Sequence, residues 1–164
     1  MPPGVHRFVK ADLEQLVALR ADLVVVSEYT DADFLRLVER AGLRVHRMQG
    51  LSSMAGVRAA ILDLGRAVGE EAAALRLVKG FDATLRDLRA RLAGARRPRI
   101  LYWSSGMTAG QDTAIAALIE AAGGVNVGSE LGIVGIAPPG AERVFVADPD
   151  AVLVGTWPQA REDL

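Results

Sequence analysis

The 164-residue chain has no cysteine. That excludes disulfides, thiol nucleophiles and cysteine-ligated zinc, and leaves the redox compartment undetermined. Aromatic residues make up only 5% of the chain, and histidine occurs twice, at His6 and His46. Neither histidine has acidic or imidazole neighbours at metal-ligand spacing. Lys10 and Lys79 are the only lysines among 19 cationic residues, an arginine bias of genomic or thermal origin. With 20 acidic residues the net charge is -1, which offers no field for nucleic acid or an anionic membrane. No uncharged apolar run reaches the ~20 residues a membrane-spanning helix needs. The opening Met-Pro-Pro-Gly-Val-His has neither the basic start nor the apolar stretch of a signal peptide, so the chain read as complete would be cytoplasmic.

What remains is a globular composition, 51% hydrophobic and 24% charged. A chain of this size buries roughly 68–70% of its unfolded surface and needs no covalent staples. Asp12 is placed to cap a helix over 13–19. Residues 23–26 are continuously apolar and mostly β-branched, which predicts a strand buried on both faces. Thr30 or Asp31 opens a helix with Phe34, Leu35, Leu37 and Val38 inward, and Gly42 ends it. A short strand over 43–48 follows. Ser52 or Ser53 then starts a helix whose apolar residues Val57, Ile61, Leu62, Leu64 and Val68 recur up to Gly69.

Residues 70–93 contain no proline, and Ala74, Leu75, Val78, Phe81, Leu85, Leu88 and Leu92 mark one long helix of about 36 Å. After the break at 94–98 come a strand over 99–103, a Ser/Gly/Thr loop, a helix over 113–122 and a glycine-rich stretch to Gly135. An internal repeat brackets the long helix. The segment from Glu14 to Ser27 matches that from Glu142 to Gly155, each with Glu early in a helix, Asp22 or Asp150 eight residues later, and a buried strand. The fold class expected is α/β, two small lobes with mainly parallel sheets flanked by helices. The lobes are a partial N-terminal one at 1–69 and a partial C-terminal one at 95–164, joined by a helix at 70–94.

Parallel α/β sheets bind ligands beyond the carboxyl ends of their strands. Three such ends can be read: Ser27, Glu28, Tyr29 and Thr30; Trp103, Ser104, Ser105, Gly106, Met107 and Thr108; and Thr156 with Trp157. The candidate ligand contacts are Ser27, Glu28, Tyr29, Trp103, Ser104, Ser105, Met107 and Thr108, with Trp103 and Tyr29 able to stack on a ligand. No catalytic residue is identified. Ser104-Ser105-Gly106 lacks the flanks of a nucleophile elbow, and 123–128 fits neither a dinucleotide fingerprint nor a phosphate loop, so its glycines read as a helix-to-strand turn. Glu14 and Glu142 sit where the helix dipole favours a carboxylate, which by itself accounts for them; the alternative is an acidic knob suited to a partner's arginines.

The stretch 12–26, Leu64-Gly65 and Gly69, 97–102, Thr108-Ala-Gly, Thr113, Ala122-Gly-Gly-Val-Asn126 and 148–154 together resemble the periplasmic binding proteins of ABC importers for iron-siderophores, haem and vitamin B12. The resemblance implies two lobes on one rigid helix with the ligand held between them. It implies an ABC permease as partner, docked by Glu14 and Glu142, and a metal-chelate ligand: ferric siderophore, haem or cobalamin. It implies no intrinsic cofactor, no enzymatic activity and a periplasmic or cell-envelope location. Tyr29, His6 and Met107 are side chains able to ligate a haem iron. Family members begin with a further βα region and continue beyond the strand at 151–154, so the resemblance covers the middle of a complete binder. Sheet edges left open in this way would suit a homodimer. Two other readings of the residues stay open: a small cytoplasmic α/β enzyme, and an interaction domain that has kept the scaffold without ligand binding.

Overall fold

In a computed structural model, which describes residues 12–155, every helix start but those of the helices beginning at Glu71 and Ala141 falls where a polar side chain accepts from the first free backbone N–H groups. Asp12 caps α1 (Leu13–Ala18), Asp31 caps α2 (Ala32–Arg40) and Ser53 caps α3 (Met54–Val68). Helix stops are equally local. Gly42 and Gly69 both adopt positive φ, and the following N–H reaches back to the last turn, as Leu43 does to Val38 and Glu70 does to Gly65.

The chain divides into two compact units, residues 1–49 and 50–164. In the first, β1 (Val24–Ser27) pairs in parallel with β2 (Val45–Met48), placing Val24 opposite Val45 and Ser27 opposite Met48. Leu16, Val24 and Val38 form its core, with Leu13, Ala21, Val26, Phe34, Leu43 and Val45 packed around them. The strand β1 is buried on one face only. Val25, on the other face, is 44% exposed, and is absent from the core of Leu16, Val24 and Val38 and the side chains packed on it. Leu37 likewise turns outward from α2, since Phe34, Leu35 and Val38 already fill the inward stripe.

In the second unit α3 packs along α4 (Glu71–Arg91). Their closest approach is fixed at Gly65, where a Cβ would meet the Ala74 Cβ at 2.3 Å. The helix α4 has 21 residues, about 31 Å, rather than the 24 expected, because the chain turns after Leu92 towards Gly94. Ala74 and Val78 are buried, whereas Leu75 lies outside the packed stripe. The central sheet is all parallel in the order β5-β3-β7, from β3 (Arg99–Trp103), β5 (Val125–Asn126) and β7 (Ala151–Val154). A small antiparallel pair joins β4 (Thr108–Ala109) to β6 (Ile136–Ala137). The helix α5 (Ala114–Ala121) starts at Thr113 and ends at Gly123, whose turn into β5 is the helix-to-strand turn read from the glycines.

Two features of this unit differ from expectation. The glycine-rich stretch contains a four-residue helix, α6 (Val127–Glu130), which has no hydrophobic period to announce it. And β7, expected to be buried, is exposed at all four residues: among the described residues it pairs with β3 alone. Between them lies α7 (Ala141–Ala147), which buries no side chain. The architecture is α/β, with mainly parallel sheets flanked by helices.

Candidate functional site

The strand-end loops have distinct local architectures. After β1 the chain makes a tight turn, with Thr30 N donating to Ser27 O at 3.1 Å and the two hydroxyls 3.4 Å apart. Arg47, on the neighbouring strand, donates to the Glu28 carbonyl. The turn throws the Tyr29 ring into solvent at 73% exposure, while Ser27 and Glu28 are half-buried.

After β3 a two-residue hairpin closes on itself. Ser104 N donates to Met107 O at 3.0 Å and Met107 N to Ser104 O at 2.9 Å. Ser105 and Gly106 take φ of 48° and 81°, the double left-handed geometry that matches the twist of the flanking chain. Ser105 is fully presented at the tip, with Trp103 and Met107 half-buried at its base. Two of the expected ligand contacts are placed otherwise. Ser104 is buried and donates through Oγ to Gly155 O at 3.0 Å, fastening the hairpin to the end of β7. Thr108 is enclosed because β4 pairing turns it inward, and its Oγ1 has no hydrogen-bond partner among the described residues.

Behind the hairpin, Asn126 acts as a bracket. Its amide donates to Ala109 O and Ser129 Oγ, both at 2.9 Å, and its Oδ1 accepts from Gly128 N at 3.2 Å. Gly128 must be glycine here, since a Cβ would lie 2.2 Å from Ala109 O. Asn126 was legible only as part of a motif, with no role attached to it.

Glu14 and Glu142 are both exposed in the first turns of their helices, α1 and α7. Glu142 also borders a cleft of about 450 Å3 lined by Arg99, Glu130, Leu131, Arg143, Val146 and Ala147. Arg99 organises that cleft. Its Nε and Nη2 donate to Glu130 Oε2 at 3.1 and 2.8 Å, and its Nη1 donates to Ala147 O at 2.6 Å and Asp148 O at 3.2 Å. The Glu130 hydrogen bond chiefly raises the Arg99 pKa above its usual range. Asp150 is held below the ordinary carboxylate value, first by the hydrogen bond from Arg99 N at 2.7 Å and then by the Arg96 guanidinium. Sequence reasoning missed Arg99, whose partners lie 31 to 51 residues away.

His46 lies half-buried in β2, and no three His, Asp or Glu side chains are grouped to hold a metal among the described residues. His6, Thr156 and Trp157 lie outside the described residues. No described helix is long and apolar enough to cross a membrane.

The family model of the periplasmic binding proteins matches residues 2–164. A protein named cobalamin-binding protein from Halobacterium salinarum (strain ATCC 29341 / DSM 671 / R1) is 33% identical over 154 residues, covering 89% of this chain and 41% of its own. Among solved structures, the periplasmic heme-binding protein BhuT in complex with two hemes is 30% identical with a TM-score of 0.76, covering 87% of this chain and 57% of that one. The periplasmic heme-binding protein RhuT from Roseiflexus sp. RS-1 in apo form is 28% identical with a TM-score of 0.75, covering 88% of this chain and 58% of that one. The chain spans about two fifths of the length of the curated relatives it matches. On a match that runs almost end to end, the chain belongs to the periplasmic binding protein family.

Proposed function

We propose that the chain is the solute-binding component, or part of it, of an ABC importer, acting in the cell envelope without catalysis. The ligand is a metal chelate or tetrapyrrole of the haem, ferric-siderophore or cobalamin type. The observation that carries this reading is the family match over residues 2–164, in company with relatives named for cobalamin and heme binding. The strand-end loops supply suitable chemistry. Tyr29 and Trp103 offer aromatic faces for a flat macrocycle, Ser27, Glu28 and Ser105 offer hydrogen bonds, and Met107 offers a soft sulfur. Ser104 and Thr108, from their placement, serve as the frame of the second loop. Glu14 and Glu142 are the carboxylates that dock a permease, each exposed at a helix start.

Titration of the chain with haem, cyanocobalamin and a ferric siderophore, followed by tryptophan quenching, tests the ligand class. Saturable quenching by one of the three that is weakened at least tenfold in Trp103→Ala or Tyr29→Ala supports it, a loss of about 1.4 kcal/mol. Absence of saturable binding by all three overturns it. The docking role is read separately, as loss of association with a permease complex in nanodiscs on Glu14→Ala, Glu142→Ala.

A further inference from the structure

The helix α7 carries Glu142 and buries none of its own side chains. It is seven residues long, shorter than the ~12–15 at which isolated helices become even marginal in water. No side chain caps its start, and Phe145 and Val146 stand 88% and 82% exposed. Its end is Asp148, a non-glycine residue at φ 43°, as Arg20 is at φ 50° in the matching place after α1. What distinguishes the end of α7 is Arg99. One guanidinium donates to the last carbonyls, Ala147 O and Asp148 O, while its other edge grips Glu130 on α6. The same residue's backbone N–H holds Asp150, so the whole turn from α7 into β7 is fastened to the first residue of β3. At the other side of the cleft Arg143 donates to Leu131 O, a second polar tie between α7 and the segment after α6.

We propose that Arg99 is the positioning residue for Glu142: it sets the place of α7, and with it the carboxylate presented to the permease. The inference rests on the docking role given to Glu142 above. The geometry demands a fork, because the donors to Glu130 and to Ala147 point along different edges of one plane. A lysine at this position offers one compact ammonium in place of that fork and leaves α7 or Glu130 unheld.

Amide exchange and permease association, measured together, test the proposal. In Arg99→Ala the α7 amides should exchange about tenfold faster or more, while those of α1 are unchanged. Arg99→Lys, which keeps charge and stem, should lose the α7 protection as well, and it stands in should the alanine variant fail to fold. Association with a permease complex in nanodiscs should fall in Arg99→Ala and in Glu142→Gln, and the double variant should fall no further than Glu142→Gln alone. Unchanged α7 exchange in both Arg99 variants overturns the tether. Faster exchange with undiminished association overturns the positioning role. If instead Glu142→Gln associates as well as the unmodified chain, the docking reading itself is overturned, whatever α7 does.

Discussion

The segment α1–β1 and the segment α7–β7 carry the same spacing of glutamate, aspartate and apolar strand, and they are held in opposite ways. In the first, Asp12 caps the helix and Leu16 enters a core with Val24 and Val38. In the second there is no cap, no buried helix side chain and a strand exposed along its length, and guanidinium–carbonyl bonds hold the helix end instead. A shared period of residues therefore specifies a shared path of the backbone and not a shared source of stability. The difference has a mechanical meaning. Hydrophobic burial tolerates small shifts, whereas bonds from a planar fork fix a direction.

The comparison can be broken at several points, and the largest effect is expected in the first unit. Leu16→Ala should lower its stability by about 2–5 kcal/mol, seen in urea melts and in amide exchange of α1 and β1. An unaltered melt would mean that α1 is not anchored by burial. Asp12→Ala removes the acceptor for Gln15 N and should cost about 1 kcal/mol by the same measurements. At the turn from α7 into β7 the sensitive variable is acid. Asp150 has its pKa lowered on folding, so its contribution is complete above the ordinary value of 3.8 and is lost as pH falls below that through the folded value. Asp150→Asn should remove this acid step from the exchange of β7 amides, and an unchanged acid profile would contradict the assignment. Phe145→Ala, the largest truncation on α7, should change stability by no more than about 0.5 kcal/mol, because the ring is already in solvent.

Legibility from sequence followed the range of the interaction. Asp12, Asp31, Ser53 and Thr113 each bond a backbone N–H three residues on, so a local pattern finds Asp12, narrows the next two starts to Thr30 or Asp31 and Ser52 or Ser53, and places a helix start at Thr113. Gly42 and Gly69 end helices through their own positive φ, again without help from afar. The exposure of β7 was illegible because Val152, Leu153 and Val154 declare apolarity but not what lies beside them. The helix α6 was illegible because Asn126, not hydrophobic period, holds it in place. Of the candidate site, the loop positions were readable from strand ends. The inward turn of Thr108 required knowing that β4 pairs with β6, which sets Thr108 opposite Ala137. Arg99 looked like one arginine among many until its partners on α6 and after α7 were in view.

The hairpin at 104–107 is closed by its own backbone. Both of its cross-bonds are made between its own backbone atoms, and Ser104 is pinned to Gly155, so the tip is rigid before anything meets it. A ligand touching Ser105 or Met107 has little loop entropy to quench. If those two side chains touch the ligand as proposed, variation at them is felt as residence time rather than as speed of capture.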